Sequence, residues 1–219
     1  MDTVRTRLAR RLRSRPTLLY GLLDTGLLEA DSIPPAAADL AGRGVGLLQL
    51  RAKSLPTGEF VRLALATLEA LSGTGVALLI NDRVDVALAT QADGAHVGAS
   101  DIEAGAAREL LGQSRILGVT AHNRAELDAI DAGLVDYAGY GAVFGTQTRA
   151  GARICGPEAL TMAVAASTVP VVAIGGIRPD NVQALRDSGV AAVAVASALL
   201  PGRTSPGAVE EFLQVLARW

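Results

Sequence analysis

Val76-Ala77-Leu78-Leu79-Ile80-Asn81-Asp82-Arg83 runs through five apolar residues and stops at an amide, a carboxylate and a guanidinium. An unbroken apolar run of this length reads as a strand buried on both faces, the kind found in parallel sheets. Ligands of α/β sheets and barrels sit at the carboxyl ends of their strands, so Asn81 and Asp82 stand where a site belongs. The pattern recurs along the chain. Apolar runs at 17–23, 45–50, 94–97, 115–119, 135–140, 170–174 and 192–195 end at Asp24-Thr25-Gly26, Arg51 and Lys53, Gly98, Thr120 and His122, a polar loop at 145–156, Gly175-Gly176 and Ala196-Ser197.

Helical spacing fills the intervals. Helices are expected at 36–41, from Pro56 to Leu71, at 84–90, after Asp101, after Asn123, from Pro157, from Pro179 to about Asp187, and from Pro206. Proline suits the first turn of a helix, and Asp101 and Asn123 suit N-caps. Glu126, three residues after Asn123, has capping-box spacing. Eight strands alternating with helices predict a single-domain (β/α)8 TIM barrel over residues 1–219, with a doubly wound sheet as the alternative. Residues 1–15, rich in arginine, are expected to form a short basic helix covering the bottom of the barrel.

With 219 residues, half of them hydrophobic, the chain can bury one sizeable core. A net charge of −2 gives no electrostatic reason to expect nucleic acid or an anionic membrane as partner. No apolar run reaches the roughly 18 residues of a membrane span. The arginine-rich start has too short an apolar run after it, between Pro16 and Asp24, for a signal peptide. The single cysteine, Cys155, cannot form an internal disulfide, which fits a cytoplasmic protein. The oligomeric state is open, and a homo-oligomer is compatible with all of this.

Several strand ends carry chemistry, each with a plainer reading beside it. Asp82 and Asp101 follow neighbouring strands. Together they can hold Mg2+, which takes one or two carboxylates and keeps much of its water; singly, Asp82 suits a salt bridge to a nearby arginine and Asp101 a helix cap. Gln49, Arg51 and, if the strand extends, Lys53 alternate onto one face pointing to the mouth. Two cations and an amide there suit a diphosphate, with arginine as a planar fork and lysine as a compact charge; the plainer reading is a solvated pair. Lys53 is the only lysine among twenty basic residues, which points to a need for its size or point charge. Gly175-Gly176 and Ala196-Ser197 suit a phosphate held by backbone N–H groups, or merely tight turns. Thr146-Gln147-Thr148-Arg149 adds two hydroxyls and a cation, or is an ordinary loop. His122 is placed as a candidate acid or base, whereas His96, on a short strand, suits a hydrogen-bonded structural role.

Taken together, Gln-Leu-Arg-x-Lys at 49–53, Ile-Asn-Asp-Arg-Val-Asp-x-Ala at 80–87, Ala-Asp-Gly-x-His-x-Gly-x-x-Asp at 92–101, Gly-Val-Thr-x-His at 118–122, Thr-Gln-Thr at 146–148 and Ala-Ile-Gly-Gly-Ile at 173–177 resemble thiamine-phosphate synthases. The resemblance implies a transferase that joins hydroxymethylpyrimidine diphosphate to thiazole phosphate. It implies Mg2+ on Asp82 and Asp101. Gln49, Arg51, Lys53, Asn81 and Thr120 would hold the pyrimidine diphosphate. Thr146, Thr148, Arg149, Gly176, Ala196 and Ser197 would hold the thiazole phosphate, with Arg51, Lys53, Thr120 and Arg149 as the catalytic set. The chain departs from the family at Arg149, usually lysine, and at Ala142 and Gly145, where prolines are common, so a looser loop is expected. Strand one also ends Leu-Asp-Thr instead of Thr-Asp. Two other readings are a thiazole tautomerase using His122 as acid–base, which typically lacks the Asn-Asp pair and the second aspartate, and a non-catalytic barrel that binds thiazole or thiamine phosphate.

Overall fold

The computed structural model describes residues 3–14, 16–146, 153–203, 205 and 207–219. Eight parallel strands close into a barrel in sequence order: β1 Leu18–Asp24, β2 Leu47–Arg51, β3 Ala77–Asn81, β4 Gly94–Val97, β5 Ile116–Ala121, β6 Tyr137–Tyr140, β7 Val171–Ile174 and β8 Ala192–Val195. The ring closes where Leu18 pairs with Ala192. The helices are α1 Val4–Leu12, α2 Ile33–Gly42, α3 Thr57–Ala70, α4 Val84–Thr90, α5 Ala104–Leu111, α6 Arg124–Asp128, α7 Gly156–Ala166 and α8 Ala208–Leu216.

Strand alternation divides the apolar residues into two sets. One set, including Leu19, Leu23, Leu48, Leu50, Leu78 and Ile80, packs outward against the helices. The other points inward: Leu18, Tyr20, Leu22, Leu47, Leu79, Ile116, Tyr137, Val172, Ala192 and Ala194 fill the barrel. Leu8 and Leu12 of α1 belong to this inner cluster, at 4 % exposure each. The basic helix therefore plugs the amino-terminal end of the barrel. Burying each leucine stabilises the plug by about 1.5–3 kcal/mol. Its arginines clamp it: Arg11 donates to the Gly46 carbonyl at 3.0 Å and Arg5 to the Asp136 carboxylate at 2.6 Å.

Two boundary expectations are corrected. Helix α5 starts at Ala104, not after Asp101; Asp101 instead folds back, its Oδ2 accepting from the Gly98 N–H at 2.7 Å. The helix expected from Pro179 is a 3-10 helix, Val182–Ser188, stopped by Gly189 in the left-handed region. The loop expected to be looser lies largely outside the described residues, but its approach at 142–144 is paired. Val143 N–H donates to Ile174 O and Phe144 N–H to Gly175 O, at 2.9 and 3.0 Å, continuing the β6–β7 pairing. Asn123 does cap α6, accepting from Glu126 N–H at 3.0 Å.

Below the strands, the Asp136 carboxylate gathers Arg5, Arg108 Nη2 at 2.8 Å and Leu117 N–H at 2.8 Å. Arg108 is 2 % exposed and also donates to the carbonyls of Leu134, Gly112 and Arg115. Removing one partner of a buried pair strands the other charge, so Asp136→Ala is expected to cost about 3 kcal/mol or more in urea unfolding.

Candidate active site

The described site residues fall at the carboxyl ends of the strands, as the barrel requires. Gln49 and Arg51 lie on β2, with Lys53 just after it. Asn81 ends β3 and Asp82 follows. Asp101 follows β4, Thr120 is on β5, Thr146 follows β6, Gly176 follows β7, and Ala196 and Ser197 follow β8. Thr148 and Arg149 lie outside the described residues, and so does Gln147.

Charge is paired in advance across adjacent strand ends. Arg51 Nη1 meets Asp24 Oδ2 at 2.5 Å, from the register partner on β1. Asp24 is 3 % exposed and also accepts from Gly26 N–H at 2.9 Å. Strand β2 ends at Arg51, so Lys53 does not share its face. Lys53 instead reaches across to β3, its Nζ 3.2 Å from Asp82 Oδ2. The salt bridge expected between Asp82 and an arginine is thus made to Lys53. The neighbouring Arg83 turns to Asp85 and Thr57.

Asp82 has a backbone φ of 64°, in the left-handed region, where a non-glycine residue costs roughly 1–2 kcal/mol. Its backbone N–H donates to His96 O at 2.8 Å, which holds the turn. Burial and the contact with Asp101 push the Asp82 carboxyl up, and Lys53 only partly offsets them. Two carboxylates in contact, Asp82 from the strained turn and Asp101 from the loop after β4, are a donor set that a hard divalent cation fits.

Gln49 turns into the barrel. It is 3 % exposed, and its Nε2 donates to Tyr20 Oη at 2.6 Å inside the barrel. From there a chain of contacts runs Tyr20 Oη to Tyr137 Oη at 2.9 Å, Tyr137 Oη to His96 Nδ1 at 2.9 Å, and His96 Nε2 to Thr120 Oγ1 at 2.8 Å. Two expected substrate contacts, Gln49 and Thr120, are thereby joined. Room for the chain comes from glycine: a Cβ on Gly118 would stand 2.2 Å from Tyr137 Cζ, and one on Gly139 3.3 Å from His96 Cε1. Burial pushes both phenols well above their ordinary range and lowers His96 to about 4. His96 is buried and hydrogen-bonded through both ring nitrogens. The tyrosines were not anticipated, because each sits among apolar neighbours in its own strand; Asp24 carried the same signal as Asp82, a carboxylate closing an apolar run.

On the far side of the mouth, Gly175 and Gly176 have φ of 99° and 64°. Added Cβ atoms would lie 2.5 Å from Ala142 Cβ and 2.2 Å from Gly145 O, so close packing of the 142–145 segment requires both glycines. Asn181 Nδ2 donates to Gly176 O at 2.9 Å and fastens the turn. Ser197 opens a one-turn 3-10 helix, Ser197–Leu199, and is exposed. Short helix starts after strands seven and eight commonly bind phosphate in barrels. His122 Nδ1 lies 3.1 Å from Gly141 O.

A parallel barrel with an acidic pair, paired cations and glycine-rich turns around one mouth defines an enzyme-like site for phosphorylated small molecules. The chain belongs to the thiamine monophosphate synthase family, whose model matches residues 19–199. It is 41 % identical to thiamine-phosphate synthase of Vibrio parahaemolyticus over 174 residues, 79 % of this chain and 85 % of the relative. It is 35 % identical to the Ruminiclostridium cellulolyticum enzyme of that name over 199 residues, covering 90 % and 94 %. The structure of a thiamine phosphate pyrophosphorylase from Pyrococcus furiosus superposes with a TM-score of 0.83 at 30 % identity, covering 96 % of this chain and 98 % of that one.

His96 titrates near 6.5 when unfolded and near 4 when folded. Above pH 6.5 it is neutral in both states. Between the two values only the unfolded chain takes the proton, so its contribution to stability falls as pH drops, by up to about 3 kcal/mol. Asp82 and Asp93, raised by burial, act in the opposite sense. Urea unfolding of wild type and His96→Asn from pH 7 to 4 is therefore expected to show a stability difference that shrinks with acid.

Proposed function

We infer that this chain joins 4-amino-2-methyl-5-hydroxymethylpyrimidine diphosphate to thiazole phosphate, forming thiamine phosphate and releasing diphosphate. The observation that carries the reading is the mouth of β1–β4, where Arg51, Lys53, Asp82 and Asp101 converge in a member of this family.

Asp82 and Asp101 would hold Mg2+, whose charge supports departure of the diphosphate. Arg51, its fork anchored at one end by Asp24, offers its remaining N–H groups to phosphate oxygens. Lys53, 58 % exposed, can swing from Asp82 to the leaving group. The C–O bond of the pyrimidine methylene breaks with its electron pair on diphosphate. The aminopyrimidine ring stabilises the benzylic-type cation, and the thiazole nitrogen lone pair forms the new C–N bond. No protein nucleophile and no proton transfer are needed; alignment and charge are the protein's share. Asn81 and Thr120 line the pyrimidine side. Thr146, Gly176, Ala196 and Ser197 are assigned to the thiazole phosphate, and Thr148 and Arg149 join them on the resemblance alone. The partners are thus two phosphorylated small molecules. No helix among the described residues is long and apolar enough to cross a membrane. The cytoplasm is the proposed compartment, where a free thiol such as Cys155 is ordinary.

Purified protein with both substrates and Mg2+ is expected to form thiamine phosphate, and EDTA to stop it; folded protein that forms none refutes the reading. Asp82→Ala is expected to lower turnover roughly 100-fold or more, while thiazole phosphate still binds by calorimetry; equal loss of both would remove the metal role. Lys53→Arg is expected to lower turnover despite the retained charge, because a planar fork does not replace a compact ammonium. Unchanged kinetics would dismiss that assignment.

A further inference from the structure

The buried chain from Gln49 to Thr120 has a direction. Gln49 Nε2 can only donate, so Tyr20 Oη accepts from it at 2.6 Å. The one hydrogen of Tyr20 then goes to its other neighbour, Tyr137 Oη, at 2.9 Å. Tyr137, having accepted, donates its own hydrogen to His96 Nδ1 at 2.9 Å. A neutral imidazole that accepts at Nδ1 carries its hydrogen on Nε2, and this donates to Thr120 Oγ1 at 2.8 Å. With the Gln49 amide nitrogen toward Tyr20, any reversed link leaves a buried hydroxyl hydrogen without an acceptor, which costs about 1–3 kcal/mol; only turning the Gln49 amide over reverses the whole chain, and with it the His96 tautomer.

The two ends of the chain then face a ligand with opposite polarity. Thr120 Oγ1 accepts from His96, so its own hydrogen is left to donate outward. Gln49 has its amide nitrogen held by Tyr20, which turns its carbonyl Oε1 to the remaining direction as an acceptor. An aminopyrimidine fits this pair: its exocyclic amino group donates and its ring nitrogens accept. The corresponding oxopyrimidine sets a carbonyl oxygen where the amino group was, facing Gln49 Oε1, acceptor against acceptor.

We propose that Tyr20, Tyr137 and His96 are positioning residues that fix Gln49 as acceptor and Thr120 as donor, and so select an aminopyrimidine over its oxo counterpart. The selectivity rests on the synthase reading above; the direction of the chain does not. The fold supports a dedicated arrangement. Gly118 and Gly139 leave the space that Tyr137 and His96 occupy, and the tyrosine rings meet edge to face with centroids 6.1 Å apart.

The test has two arms, both on the full chain. The first is 15N-edited NMR of the His96 side chain at neutral pH, assigned with His96→Asn. The Nε2–H tautomer is expected; the Nδ1–H tautomer, or an imidazolium, overturns the proposal. The second compares kcat/KM for the aminopyrimidine diphosphate and its 4-oxo analogue in wild type, Tyr137→Phe and Tyr20→Phe. Each substitution keeps the ring and deletes one hydroxyl. The ratio of the two substrates is expected to fall tenfold or more in either variant. A merely structural role would lower both rates together and leave the ratio unchanged, which overturns the proposal. Tyr20→Phe serves if Tyr137→Phe does not fold. If the wild type forms no product, the synthase reading falls and the tautomer alone decides the chain: Nε2–H upholds its direction and Nδ1–H overturns it.

Discussion

The interior of a closed eight-stranded barrel is filled by side chains, so polar groups aimed inward find their partners largely among one another. That constraint organises this molecule. Toward the amino-terminal end the interior is met with leucines and isoleucine, sealed by Leu8 and Leu12 from the basic helix. Higher up, Gln49, Tyr20, Tyr137, His96 and Thr120 satisfy one another in series. Among the described residues, Thr25 Oγ1 and Trp219 Nε1 are the buried side-chain polar atoms left without a partner. The interior thus passes from apolar to polar along the barrel axis, and the site opens at the polar end.

The same logic extends to the mouth. Arg51 is held by the buried Asp24, and Lys53 by Asp82. The first pair is anchored on a buried carboxylate, whereas the second leaves Lys53 largely exposed and able to move. Asp82 carries the cost of this arrangement in its left-handed backbone and in its nearness to Asp101. Strain and like charge held together are typical of residues kept for function over stability. On the opposite side, glycines at 175 and 176 let the 142–145 segment close over β7. Substituting alanine and glycine for the customary prolines leaves that segment pinned, because its order comes from backbone hydrogen bonds to Ile174 and Gly175.

Much of this was legible in the chain itself. Buried strands announce themselves as apolar runs, and the polar residues that close them mark the mouth: Arg51, Asn81, Asp82, Thr120 and Gly176 all lie at strand ends. Local chemistry was legible where the partner is close in sequence, as with Asn123 and Glu126. It misled where two local solutions compete. Asp101 resembles a helix cap but accepts from Gly98, three residues before it, and the helix begins only at Ala104. Pro179 is a sound helix start, yet the segment winds as a tighter 3-10 helix that Gly189 ends.

What the sequence by itself determined is the count and order of strands and which residue types reach the mouth, because burial pattern and strand ends are local properties. Only the tertiary structure decided who pairs with whom. Lys53 and Asp82 are 29 positions apart, Arg51 and Asp24 27, and Tyr20 and Tyr137 117. Barrel closure and register bring those side chains together, and no periodicity in the chain encodes a hydrogen bond across the barrel. For the same reason Tyr20 and Tyr137 read as ordinary core residues until the ring of strands is closed around them.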